Sequence, residues 1–156
     1  QGYCFGVGLE FSLACDFRIV TRNSQLSLPE MKIGMIPGSG GSVRLARMIG
    51  LSRVKDMIMR GKRISGEEAF KWGLASEVVE SLKLKEATSK LVKELCSVSP
   101  LAQRAIKTVL NTSQDAPLHV AIELEGETYG RLRSSNDFKE GVSSFVEKRK
   151  PVYKGN

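Results

Sequence analysis

Residues 2–16, Gly2-Tyr3-Cys4-Phe5-Gly6-Val7-Gly8-Leu9-Glu10-Phe11-Ser12-Leu13-Ala14-Cys15-Asp16, set a glycine-spaced loop against a short apolar stretch holding one carboxylate. Gly6 and Gly8 flank Val7 and free its backbone N–H to face a ligand where a helix begins. Such an amide, backed by the helix dipole, is placed to stabilise a developing oxyanion. A tight turn packed under a sheet would use the same spacing. Leu9 to Cys15 reads as a short buried helix, apolar apart from Glu10 and Ser12. Leu9, Phe11, Leu13 and Ala14 are expected inside, and a carboxylate in that company needs a partner or has a chemical task.

Outward from this stretch, Asp16 to Val20 alternates and predicts a strand, followed by a polar turn over Thr21 to Ser24. Gln25 to Leu28 predicts a second strand, stopped by Pro29. Glu30 follows at once, at a strand end where α/β enzymes place working groups. Two carboxylates, Glu10 and Glu30, can position a water and exchange protons with it. Two structural ion pairs, with Arg18 or Lys32, would explain them equally well. Residues 34–41, Gly34-Met-Ile-Pro-Gly-Ser-Gly-Gly41, form a second glycine-rich loop. It suits a phosphate at the N-terminus of the next helix, but it lacks the Lys-[Ser/Thr] ending of a P-loop. Helices are expected over Ser42 to Ile49, closed by Gly50, and over Ser52 to Arg60. Ser65 to Glu68 has capping-box spacing and starts a helix running to about Trp72. Glu77 to Val79 reads as a short strand. From Leu82 onward the pattern is helical, with an N-cap at Ser99 before Pro100 and a stripe of Leu101, Ala105, Ile106 and Val109. A longer helix follows through Leu118, Ile122 and Leu132. A last one begins near Ser135 or Asp137, with Phe138, Val142, Phe145 and Val146 as its apolar stripe, and is stopped by Pro151.

Composition narrows the classes. At 156 residues, 41% hydrophobic and 26% charged, the chain fits one ordinary folded domain and not a disordered tail. No apolar run reaches the ~18 residues of a membrane span. Cys4, Cys15 and Cys96 are widely spaced and His119 is the single histidine, too few ligands for a structural zinc site. A Ser-His-Asp hydrolase and a dinucleotide fold both lack their residues, and no metal is expected. The net charge of +7 is spread along the chain, with one dense cluster at Lys148-Arg149-Lys150. A solvated surface and an anionic ligand are both compatible with it. Nucleic acid is disfavoured, because basic and aromatic residues do not interleave.

The motifs together resemble the crotonase (enoyl-CoA hydratase/isomerase) superfamily. Residues 2–16 are similar to its oxyanion-hole segment. Residues 28–41, Leu28-Pro-Glu-Met-Lys-Ile-Gly-Met-Ile-Pro-Gly-Ser-Gly-Gly41, are similar to its second signature. Arg63 to Ala69, Trp72 to Leu74, Ser99-Pro100 with Lys107, and Asp137 to Gly141 through Phe145 to Pro151 match in order. The resemblance implies an α/β fold, a crotonase-like (ClpP/crotonase) spiral of β-β-α turns. Residues 1–80 would be the C-terminal part of the spiral core and residues 81–156 a helical region that drives trimer formation. The opening at Gln1 leads to the expectation that an N-terminal part of the fold precedes it.

The same resemblance implies an acyl-CoA thioester as substrate, with coenzyme A as part of it and no separate cofactor. It implies a homotrimer or a hexamer of two trimers. The Val7 amide, between Gly6 and Gly8, would hold the thioester oxygen, where many members carry glycine in place of Val7. A second amide would come from an earlier loop. Glu10 and Glu30 fall on the two catalytic glutamates of the hydratases, which favours enoyl-CoA hydration over isomerisation or thioester hydrolysis. An RNA-binding relative is the rival of another class. Pro29, Pro37 and Gly38 would line the substrate, and Phe145 and Lys148 would meet the nucleotide end of coenzyme A. The expected compartment is the cytoplasm, or the mitochondrial matrix if a targeting segment precedes Gln1.

Overall fold

The computed structural model describes residues 1–156 and divides into two compact units, Gln1–Ser89 and Lys90–Asn156. The first is built on five short strands: β1 (Tyr3–Phe5), β2 (Ile19–Thr21), β3 (Gln25–Ser27), β4 (Ile64–Ser65) and β5 (Glu77–Val79). β1 runs parallel to β3 with Cys4 opposite Leu26, and β3 is antiparallel to β4 with Leu26 opposite Ile64. β2 and β5 form a separate parallel pair with Val20 opposite Val78. Parallel neighbours need a crossover. For β1 and β3 it is α1 (Val7–Leu13) followed by β2; for β2 and β5 it includes α2 (Gly41–Ile49), α3 (Leu51–Met59) and α4 (Gly66–Lys71).

Each helix of this unit sends one stripe into a common core. Leu9 and Leu13 come from α1, Leu45 and Ile49 from α2, Val54, Met57 and Ile58 from α3, and Ala69 from α4; Leu26, Leu28, Ile64 and Leu74 complete it. Full burial of one such large side chain stabilises by roughly 1.5–3 kcal/mol. The capping box at α4 is formed: Glu68 N–H donates to Ser65 Oγ at 3.1 Å and Ser65 N–H to Glu68 Oε2 at 2.9 Å.

The second unit holds the end of α5 (Leu84–Cys96), then α6 (Pro100–Ser113), α7 (Leu118–Arg133) and α8 (Asn136–Val146). α6 packs on α7 and α7 on α8. Ser99 caps α6, its Oγ accepting from Ala102 N–H at 3.1 Å, and its hydroxyl donates to Asp137 Oδ2 at 2.6 Å. Asp137 is buried and takes the Lys154 and Gly155 amides on Oδ1, both at 3.0 Å, so the C-terminal segment is strapped to the start of α8. Glu140 adds a two-pronged pair with Arg149, at 2.6 and 2.9 Å, and accepts from Val152 N–H at 2.8 Å.

Several expectations need correction. Tyr3 to Phe5 lie in a strand instead of a loop, because their amides and carbonyls pair with β3. Phe11 and Ala14 are exposed: α1 turns only Leu9, Glu10 and Leu13 inward. β4 and a 3-10 turn at Glu30–Ile33 were not expected. The apolar stripe of α8, Phe138, Val142, Phe145 and Val146, is present and exposed. α8 also ends well before Pro151. Lys148 adopts a left-handed φ of 55°, its amide reaching Phe145 O and the Arg149 amide reaching Ser144 O, the two bonds of a Schellman cap.

Arg149 holds the Glu140 carboxyl down to about 2, below the ordinary 4.5, with the Val152 amide assisting. A depressed folded value means that stabilisation is present above the unfolded value and lost as pH falls through the folded one. The urea midpoint of the wild type should therefore exceed that of Glu140→Gln near pH 6. The gap should close between about pH 4.5 and about pH 2, which circular dichroism at each pH will show.

Candidate functional site

Glu10 is 2% exposed on the inner face of α1. Burying a carboxylate costs several kcal/mol unless hydrogen bonds replace its water. Here Oε1 accepts two backbone amides of the glycine-rich loop, Ser39 N–H at 2.8 Å and Gly41 N–H at 2.9 Å. The loop that suited a phosphate thus holds an internal carboxylate. Gly41 starts α2, so Glu10 also answers the positive end of that helix. The approach is close: a Cβ on Gly41 would lie 2.6 Å from Glu10 Cγ. Neither glutamate forms an ion pair. Arg18 is spent on the carbonyl oxygens of Leu74, Ser12 and Cys15, at 2.6, 3.0 and 2.6 Å.

Glu30 opens the 3-10 turn directly after Pro29, and its carbonyl takes the Met35 amide at 3.1 Å. Its side chain reaches back to the start of α1, where Oε1 would stand 2.9 Å from a Cβ on Gly6. Oε2 is buried with no hydrogen-bond partner. A buried acceptor without a donor is uncommon and calls for an explanation. Gly6 touches both glutamates in different ways: its α-carbon faces the Glu30 carboxylate, and its carbonyl accepts the backbone amide of Glu10 at 3.0 Å. That bond is the first of α1, so the helix itself cannot use the amides of Val7, Gly8 and Leu9. The Val7 side chain points into solvent at 70% exposure.

The remaining expected residues fall in two places. Pro29 is half-buried, Pro37 buried and Gly38 exposed, all on the segment joining β3 to α2. Phe145 and Lys148 belong to the second unit. Phe145 is 85% exposed and lines an apolar hollow of about 550 Å³ with Tyr129, Leu132 and Tyr153; Lys148 is exposed. No group of three or more His, Cys, Asp and Glu residues is arranged to hold a metal ion. No helix is long and apolar enough to cross a membrane. The three thiols are free, and His119 is exposed.

The family described as enoyl-CoA hydratase/isomerase matches this chain from residue 1 to residue 156. The chain belongs to that family. A carnitinyl-CoA dehydratase of Salmonella typhi is 37% identical over 164 residues, which cover 99% of this chain and 61% of the relative. Among solved structures, an enoyl-CoA hydratase from Bacillus anthracis superposes with a TM-score of 0.96 at 39% identity, over 99% of this chain and 60% of that one. An enoyl-CoA hydratase from Geobacillus kaustophilus HTA426 gives 0.93 at 40% identity, over 99% and 59%. The fold is therefore the α/β crotonase fold, and this enoyl-CoA hydratase/isomerase family chain spans about three fifths of the length of its relatives.

The amides of Ser39 and Gly41 are the site groups that residue patterns missed. The available signal was a lone acid on an apolar helix together with a glycine-rich loop ahead of another helix. Replacing Glu10 by Leu should destabilise by ~1–3 kcal/mol for each amide left without an acceptor. Glu10→Gln, whose side-chain carbonyl still accepts, should lose much less. Urea unfolding of both variants checks this, and equal losses would remove the amides as the cause.

Proposed function

We propose that this chain is the catalytic part of an enoyl-CoA hydratase, adding water syn across C2=C3 of a 2-enoyl-CoA thioester. One observation carries the reading. The chain holds one carboxylate, Glu10, fixed by two amides, and another, Glu30, set against the start of α1 with a buried oxygen free of partners. Glu10, already anchored through Oε1, orients and activates the water. Glu30 shares that water and exchanges the proton at C2, using the oxygen that no protein donor claims. The hydroxyl bonds to C3, the proton enters C2, and the thioester oxygen carries the enolate charge in between. The Val7 amide donates to that oxygen, and its side chain reshapes the pocket without removing the N–H. The family resemblance implies a second donor from an earlier loop.

Coenzyme A enters as part of the substrate, and the reading calls for no further cofactor and no metal. Pro29, Pro37 and Gly38 line the acyl end. Phe145 and Lys148 meet the nucleotide end, where basic side chains suit its phosphates. The outward apolar residues of α6 to α8 support assembly as a homotrimer or a pair of trimers. Residues 1–80 serve as spiral core and residues 81–156 as oligomerisation region. The names of the relatives, a carnitinyl-CoA dehydratase and enoyl-CoA hydratases, support hydration or its reverse over the family's other reactions.

The test is the loss of enoyl-thioester absorbance when crotonyl-CoA meets the full-length protein that carries these 156 residues. Turnover is expected, and Glu30→Gln should lower kcat by about 10²–10⁴-fold with the fold unchanged. Near-normal turnover in that variant would refute the role of Glu30. Lys148→Ala should raise KM for the CoA thioester with little change in kcat, measured on the same assay. An unchanged KM would return Lys148 to the solvated surface.

A further inference from the structure

The loop that grips Glu10 is itself held from outside. Between the two donating amides, those of Ser39 and Gly41, lies the peptide unit that joins Ser39 to Gly40. The Ser39 carbonyl, part of that unit, accepts Arg44 Nη1 at 2.8 Å. Gly40 sits at φ 84° and ψ 11°, the left-handed region, and a Cβ there would meet Arg44 Nη1 at 2.5 Å. The guanidinium therefore lies close against the turn that presents both amides. Alternating peptide units in such a turn form a concave anion seat.

The placement of Arg44 runs against the local electrostatics. It stands in the first turns of α2, where a cation opposes the helix dipole, and no acid shares the first turn. It forms no ion pair, and it is exposed. Its bond to Ser39 O therefore has to be accounted for in the loop. The Ser39–Gly40 unit bridges the α-carbons from which the two donating peptide units extend, so displacement of this segment would carry both N–H groups off Glu10 Oε1. We infer that Arg44 is a positioning residue: by clamping the Ser39 carbonyl it fixes the two amides that aim the Glu10 carboxylate at the reacting water. The inference rests on the hydratase reading for the last step, and on geometry alone for the first.

The experiment compares wild type, Arg44→Met and Arg44→Lys by amide hydrogen exchange and by crotonyl-CoA kinetics. In Arg44→Met the Ser39 and Gly41 amides should exchange at least about tenfold faster while the core amide of Leu45 is unchanged. Its kcat should fall by about 10²-fold with KM within about twofold, the size expected when a catalytic group is misplaced by about an ångström. Arg44→Lys, which keeps a donor, should recover most of both. Unchanged exchange at Ser39 and Gly41 in Arg44→Met overturns the clamp. A raised KM at constant kcat overturns the positioning role in favour of substrate contact. If the full-length wild type leaves crotonyl-CoA unchanged, the hydratase reading fails by itself, and the exchange rates still decide whether Arg44 holds the loop.

Discussion

A carboxylate buried at the head of α2 is the interaction on which the first unit turns. Glu10 leaves α1, crosses to the glycine-rich loop and takes the amides of Ser39 and Gly41 on one oxygen. The cost of removing that charge from water is offset only while both bonds keep good geometry. This makes glycine obligatory at 41, where the side chain of Glu10 leaves no room. It also fixes where α2 begins, and with it which residues of α2 face inward. Leu45 and Ile49 enter the core from that phase.

The same constraint sets the surroundings of the two glutamates apart. An oxygen tied to two amides is held in place and kept acceptor-only. An oxygen buried without any donor, as in Glu30, has its coordination left open for something else. In the hydration proposed above, the first kind of group would orient the water and the second would exchange its proton. Gly6 meets the side chain of Glu30 and the backbone amide of Glu10, so a change at that residue would touch both residues.

Much of this was legible in the residues. The capping box at Ser65, the N-cap at Ser99 and the strands at Gln25 and Glu77 follow from local chemistry, because each is decided within a few residues. Glu10 announced itself as an acid on an apolar helix. What stayed hidden depends on distant partners. Tyr3 to Phe5 become a strand only because Gln25 to Ser27 lie beside them, and β4 only because Leu26 meets Ile64. Phe11 keeps apolar character while facing outward, a fact periodicity over seven residues does not resolve. The Ser39 and Gly41 amides carry no side-chain signature at all. Their use by Glu10 spans some thirty positions of chain and appears only in three dimensions.

Gly50 closes α2 and at the same time opens α3, at φ 81° and ψ 154°, a backbone region essentially confined to glycine. Two helices thus share one residue as their corner, with no linker to absorb a change in length. Inserting or deleting one residue there would rotate α3 by about 100° about its axis. Val54, Met57 and Ile58 would then leave the core and Arg53 or Lys55 would turn toward it. Length variation among related chains is accordingly expected to avoid this corner and to collect in segments where no helix inherits its phase from the one before.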